Sequence, residues 1–458
     1  MSPLERLRAW AARCGVALHA VQVIRRGEPL VEATCSPLTL DTPQRMFSVT
    51  KSLTGLAVGI LAGEGRIALT DTVMDHFGDY APVHPWVAAT TVRDVLSMRG
   101  PHPSTTYKRY DGPWLESYFR VPPTHQPGTL FTYDTSGTYL LAALVERISG
   151  ESLADYLRPR LFDPLGISPG LRIIFGPDGF SSGGSGLVCT PRDLGRLALL
   201  LVCGGSLDGL ELVPHSFWAA ATTPQADTAM QTWGAQLQGG YGYLTWLPRA
   251  GGWLMFGMGG QLVYGDPGRE LLIVVTADTQ ASPGSDQSLV DLVVGDLAEA
   301  WADAAAPNER TDLAWPAPRH KPEWGRVLRG RWTPVDGGEL GPLELDACLD
   351  PVGGSLRAGA AGQEGDWQID LTCGASILVE RSGMGAATNL TGPAVVSAGW
   401  SAADTLDIRV DALGDELGVL RLRVVASPDG TLTVRRQGYA EALASGWAGV
   451  ASYRPVSP

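Results

Sequence analysis

Lysine is nearly missing from this chain. Of 35 basic residues in 458, three are lysine (Lys51, Lys108 and Lys321) and the rest are arginine. No long basic run occurs, and the net charge is −13. That balance argues against binding a nucleic-acid backbone, which needs clustered cations. The six cysteines, at 14, 35, 189, 203, 348 and 373, are scattered without CxxC or Cys/His ligand spacing. A zinc site is therefore disfavoured, and free thiols in a reducing compartment are expected. No run of 18 or more apolar residues exists, so no membrane span is predicted. The first 20 residues carry charges through their opening turns and lack an apolar core ending in a small-residue cleavage site. They read as an amphipathic helix of the mature chain, and the expected location is cytoplasmic.

At 458 residues, 44% hydrophobic and 18% charged, the chain is expected to hold two folded units, with a third conceivable by length alone. A helix is predicted over residues 3–14, then a hairpin in which "ALHAVQVI" and "PLVEATC" flank the turn "RRGE". A helix starting at Ser48 carries Leu53, Leu56, Ala57, Ile60 and Leu61 at helical spacing and stops near Gly63 and Gly65. A helical insert is expected over about 70–170. Thr190 and Pro191 suit the N-cap and first turn of a further helix. Strands are predicted for "YGYLTWL", "GWLMFGM", "QLVYGDP" and "ELLIVVTAD", and a helix for "SLVDLVVGDLAEAWADAA". The expected class is α+β: an antiparallel sheet flanked by helices, with a helical subdomain, over 1–305. A proline-rich linker over 306–324 and an all-β barrel-like unit over 325–458 follow.

Within "MFSVTKSLTGLAVGIL", Ser48 and Lys51 stand three apart, on one face of a helix. A serine is a weak nucleophile until a base takes its proton. None of the seven histidines has an evident partner for that task. A lysine buried among apolar residues can serve, because burial disfavours its charged form. An arginine cannot, because it keeps its proton. A chain that otherwise uses arginine but keeps lysine at position 51 fits a need for a removable proton. The same spacing also fits a surface lysine beside a capping serine, so Ser-x-x-Lys alone is a weak motif.

Further segments strengthen the reading. "FSVTKSLTGLAVGILAGEGRIALTDTV", "TTVRDVLSMRG", "QPGTLFTYDTSGTYLLAALVERISG", "GSGLVCTPRDLGRLALLL" and "FGMGGQLVYGDPGRELLIVV" follow one another over about residues 10–300. In order and spacing they resemble the serine β-lactamase and penicillin-binding-protein-like family, in its esterase, amidase and peptidase branch. The resemblance implies Ser48 as nucleophile, Lys51 as proton acceptor and Tyr133, of "YDT", as the proton shuttle to the leaving group. Thr135 takes the place of an asparagine or serine in the family's second motif. The third motif, Lys-Thr-Gly or His-x-Gly in many relatives, reads "FGMGGQ", with neither cation; the "GxxGQ" form is similar to that of the aminohexanoate-oligomer hydrolases. The resemblance implies an oxyanion hole from the backbone N–H groups of Ser48 and Met258, with Gly257 allowing close approach. With no cation there, a carboxylate-bearing β-lactam or D-Ala-D-Ala terminus has less to bind.

Thr135, Tyr107, Trp114, Tyr241, Gly257 and Gly259 are the expected substrate-binding positions, where aromatic walls would suit an apolar acyl or peptide-like small molecule. The Ser-Lys-Tyr chemistry calls for no metal and no organic cofactor. Hydrolysis of an amide or ester is the expected activity. Acyl transfer or thioesterase-type cyclisation through the same acyl-enzyme is the alternative, and a non-catalytic ligand-binding relative a third. The closing "GYAEALASGWAGVASYRP" resembles the lipocalin-like barrel appended to many family members, whose expected role is to stabilise the first unit or to cover its cleft.

Overall fold

The structure is a computed structural model that describes residues 1–304, 309–335, 344–359, 367–380, 392–440 and 447–456. Residues 441–446 of the closing segment and 306–308 of the linker thus lie outside the described residues. The chain opens with α1 (Pro3–Cys14), capped by a Ser2/Glu5 capping box and ended by Gly15 in the left-handed conformation. Strands β1 (Ala17–Arg25) and β2 (Glu28–Thr34) form the hairpin that the "RRGE" turn predicts. Far along the chain come β3 (Trp253–Gly257), β4 (Gln261–Asp266) and β5 (Leu271–Asp278). The segment 241–247, expected as a strand, makes only isolated bridges, through Tyr241 and Trp246. The backbone of "GYGYLTW" bends at Tyr243 and Leu244, and the φ of Leu244 is +50°.

These strands make one sheet in the order β6-β2-β1-β5-β4-β3, where β6 (Glu309–Asp312) pairs parallel to β2 and the other pairs are antiparallel. The stretch read as linker therefore contributes the sheet's edge. Every residue of β5 is buried, as its unbroken apolar run predicts for a central strand. Helix α2 (Val49–Gly63) lies in the core, with Val49 through Leu61 all buried. Its apolar character on all sides is what a fully buried helix needs, and Lys51 is its one charged residue. Helices α3 (Trp114–Arg120) and α4 (Thr135–Ser149) stand in the helical insert, which otherwise consists of short helical turns joined by loops and a helical stretch over 153–162. Helix α5 (Pro191–Val202) packs on β5 and β4, capped by Thr190 as the sequence implied. Residues 285–303 form a continuous helical segment that touches α1 and β5.

In the first unit, strands of two or three residues also make a three-stranded and a two-stranded sheet, and from Leu328 onward ten strands form a large antiparallel sheet. They are β7 (Leu328–Pro334), β8 (Leu345–Leu349), β9 (Gly353–Ala358), β10 (Trp367–Thr372), β11 (Ser376–Val379), β12 (Ala394–Ala402), β13 (Thr405–Ala412), β14 (Gly418–Ala426), β15 (Leu432–Ala440) and β16 (Gly449–Pro455). The order is β10-β9-β8-β7-β16-β15-β14-β13-β12-β11, and a bridge from Cys373 to Ala398 brings its two ends together. The result is a nearly closed barrel around Trp332, Trp367, Trp400 and Trp447.

The two units share a buried polar seam. Arg409 of β13 clamps Asp411 with bonds of 2.6–3.0 Å and donates to the Gly15 carbonyl at 2.8 Å. Asp278, at the end of β5, accepts from the Gln280 N–H at 2.9 Å, and its second carboxylate oxygen has no partner among the described residues. Burial, with Asp411 adding to it, raises the Asp278 carboxyl to about 7. A carboxyl that holds its proton more tightly folded than unfolded supports the fold below about pH 4, and that support is lost as pH rises towards 7. Asp278→Asn is expected to leave stability at pH 3 nearly unchanged and to raise it at pH 8 by on the order of 4 kcal/mol. Urea unfolding at the two pH values measures this; an equal effect at both would remove the explanation.

Candidate active site

Ser48 sits at the N-cap of α2, half-exposed, with no side-chain cap bond. Its hydroxyl is thus not spent on capping. One turn on, Lys51 is 1% exposed. Its Nζ lies 3.1 Å from Ser48 Oγ and 2.8 Å from the Gly184 carbonyl oxygen. The same amine stands 4.9 Å from the centre of the Tyr133 ring. Tyr133 closes the triangle by a hydrogen bond to Ser48. Burial raises the phenol to about 12, against the lowering effect of that bond. Tyr133 is therefore a neutral phenol at ordinary pH.

The surrounding backbone explains how these groups are held. The Gly184 carbonyl can reach Lys51 only because its segment runs flush against α4: a Cβ on Gly184 would lie 2.4 Å from the Thr135 side chain. Phe47, just before the serine, is held at φ +44°, and Met98 and Leu244 also have positive φ. Such conformations cost about 1–3 kcal/mol each and persist where neighbours over-determine them. Here Thr50 Oγ1 donates to the Phe47 carbonyl at 2.5 Å, and Ser52 Oγ donates to the Leu244 carbonyl at 2.6 Å. All three strained residues therefore flank the Ser-Lys-Tyr cluster or its supports.

Strand β3 ends beside the serine. A Cβ on Gly257 would lie 2.4 Å from the Met46 carbonyl oxygen and 3.1 Å from the Ser48 nitrogen. Only glycine permits that approach. Met258 follows in the turn to β4, and Gly259 in that turn has φ +82°. The barrel touches this same turn: a Cβ on Gly259 would lie 2.1 Å from Leu417 Cδ1. Glu416 Oε1 pairs with Arg45 Nη1 at 2.5 Å, and Asp415 pairs with Arg172 at 2.5 Å. Arg45 in turn stacks on Phe47 at 4.6 Å and donates to the Ser185 carbonyl at 3.0 Å. The loop between β13 and β14 thus grips both sides of the cluster.

The expected substrate-binding positions fall into two groups. Thr135 begins α4 next to Tyr133, and its N–H donates to Thr105 Oγ1 at 3.2 Å. Tyr241 is buried behind the cluster, with its ring against Phe131 and Trp246. Tyr107 and Trp114 instead stack on each other at 4.1 Å, and Trp114 meets Tyr139 edge-on. The rings that face Tyr133 are Trp246, stacked at 5.7 Å, and Trp233, edge-on at 5.0 Å. Trp233 has no signal in the sequence beyond being aromatic.

Asp134, between Tyr133 and Thr135, caps α4 by accepting from Ser136 N–H at 2.8 Å. Burial raises its carboxyl to about 6, opposed by the Ser136 bonds and by the Lys51 charge. The elbow spacing G-x-S-x-G is met at Gly179–Gly183, but Ser181 there is buried and bridges to Phe175 rather than standing at a strand-to-helix turn. Among the described residues no group of three or more His, Cys, Asp or Glu is placed to hold a metal, and no helix is long and apolar enough to cross a membrane.

Residues 8–295 match the family described as Beta-lactamase. The chain belongs to that family. It is 26% identical over 303 residues to the 6-aminohexanoate-dimer hydrolase of Paenarthrobacter ureafaciens, an overlap that takes in 59% of this chain and 77% of that protein. Among solved structures, the octameric penicillin-binding protein homologue from Pyrococcus abyssi is similar over 98% of this chain and 99% of its own, with a TM-score of 0.51 and 16% identity. A hydrolase with promiscuous acyltransferase activity covers 64% of this chain and 98% of its own, with a TM-score of 0.52 and 17% identity. At those identities the structural likenesses speak for the fold alone. The Pyrococcus structure extends the likeness across the barrel as well as the family domain.

Proposed function

We propose that this protein cleaves an amide or ester bond of a small acyl or peptide-like substrate through an acyl-enzyme on Ser48. The observation that carries the reading is the buried Lys51 amine 3.1 Å from a serine hydroxyl that caps nothing. Ser48 Oγ attacks the substrate carbonyl carbon, and its proton passes to Lys51 as the neutral amine. The oxygen that becomes negative is held by the N–H groups of Ser48 and Met258, the first at a helix start and the second at the end of β3. Tyr133 gives its proton to the departing amine or alcohol and is resupplied from Lys51. Water then releases the acid. The relative named as a 6-aminohexanoate-dimer hydrolase supports an amide substrate.

The test is covalent labelling. A fluorophosphonate is expected to label one residue, Ser48, and the label to vanish in Ser48→Ala. An unlabelled wild-type protein would leave the non-catalytic reading standing instead. Acyl transfer in place of hydrolysis needs a cleft that holds water off the acyl-enzyme, and the aromatic wall that Trp246 and Trp233 set against Tyr133 is the feature that speaks for it. Partition of a p-nitrophenyl ester between water and an added amine separates the two outcomes.

A further inference from the structure

A cavity with no lining residue from the serine cluster lies elsewhere in the fold. It measures about 900 Å³ and opens between the C-terminal half of α1, residues 313–318 and the outer face of β13, β14 and β15. Strand pairing sets Arg409 opposite Arg421, and Arg423 opposite Arg435. Like charges directly opposite on one sheet face destabilise it. Two of the four are neutralised on the spot, Arg409 by Asp411 and Arg423 by Asp407. Arg421 and Arg435 have no carboxylate within ion-pair distance among the described residues, and neither has Arg8, which reaches the cavity from α1.

Two of the guanidinium groups, those of Arg421 and Arg409, meet beside Gly15. The position a Cβ would take on Gly15 is 3.4 Å from Arg421 Nη2 and 3.9 Å from Arg409 Nη1. Arg421 is half-buried, with its cation 5.5 Å from the Tyr439 ring, so its charge is not dispersed in solvent. Burial, and then Arg409, lower its proton affinity, which an anion between them would restore. The opposite wall is apolar, formed by Val16, Leu18, Leu313 and Trp315. In a protein of net charge −13, an arginine ladder only half neutralised and facing an apolar wall is a site shaped for one kind of ligand.

We infer that this interdomain cavity binds a small monocarboxylate with an apolar body, its carboxylate between Arg421 and Arg435 and its chain along the Leu18–Trp315 wall. The ligand would bridge α1 and the barrel without touching Ser48.

Calorimetric titration of the full-length protein with octanoate tests it, with octanol and inorganic phosphate as comparison probes. Octanoate is expected to bind at one saturable site and equally well in Ser48→Ala. Each of Arg421→Ala and Arg435→Gln is expected to weaken it by roughly tenfold, the usual effect of losing one charge-assisted bond. Octanol and phosphate should both bind at least about tenfold more weakly, since each lacks one half of the match. Because Arg435 is exposed, its variant guards against a folding artefact in the Arg421 variant. Unchanged octanoate affinity in Arg435→Gln with an unchanged melting temperature would overturn the inference. So would loss of binding in Ser48→Ala, or phosphate binding as tightly as octanoate.

Discussion

Lys51→Arg is expected to lose roughly a thousandfold in the rate at which Ser48 is acylated, although the charge at the position is kept. The argument rests on what the amine touches. Lys51 is 1% exposed, and it hydrogen-bonds Ser48 Oγ and the Gly184 carbonyl. A fully protonated group could make both bonds and still catalyse nothing, because the serine proton would have nowhere to go. Burial disfavours the charged form of an amine, and only the neutral amine can take that proton. Arginine keeps its proton under all these conditions. The wild-type acylation rate, followed as the burst of p-nitrophenol from an ester, should climb with pH as the amine gives up its proton, and the arginine variant should show no such climb. A variant that retains activity within about tenfold of wild type would remove Lys51 from the mechanism.

That lysine was legible because two signals coincide at one place. The chain avoids lysine elsewhere, and the Ser-x-x-Lys spacing places the amine over the serine on any helix. The bounds of α1 and α2, the N-cap of α5 and the central character of β5 were legible for a similar reason. Each is written in local periodicity or in a capping residue. What the sequence hid are contacts that no local pattern encodes. The Gly184 carbonyl has no side chain to announce it, and "GGSG" reads as a loop until Thr135 is seen against it. Residues 241–247 alternate like a strand, yet Leu244 is turned to positive φ so that its carbonyl can accept from Ser52. Residues 309–312 look like proline-flanked linker and still pair with β2, because an edge position asks little of the side chains.

The barrel was the least legible part. Its strands follow from alternation, as in the buried-exposed pattern of Leu345–Leu349. Its reach into the first unit does not. Arg45 and Glu416 are hundreds of positions apart in the chain and meet at 2.5 Å, and Leu417 fills the space that the missing Cβ of Gly259 leaves. The barrel therefore does more than cover a surface: it fixes the backbone on either side of Ser48, so stability and site geometry are coupled through one loop.

Tyr133→Phe is the second substitution expected to cost most, and its effect should depend on the leaving group. With its phenol raised to about 12 by burial, Tyr133 carries its proton at neutral pH, as the proposed donor role requires. An amine cannot leave without a proton, whereas p-nitrophenolate leaves as a stable anion. Removing the hydroxyl is expected to slow cleavage of an anilide by roughly a thousandfold and of the matching p-nitrophenyl ester by less than about tenfold. The stacking of Trp246 and the edge contact of Trp233 on the ring survive in phenylalanine, so the fold and the cleft wall are kept. Comparing kcat on the two substrates with one acyl group isolates the proton step from binding. Equal losses on both would show that Tyr133 acts on acylation itself, through its bond to Ser48, and would move the leaving-group proton to Lys51 alone.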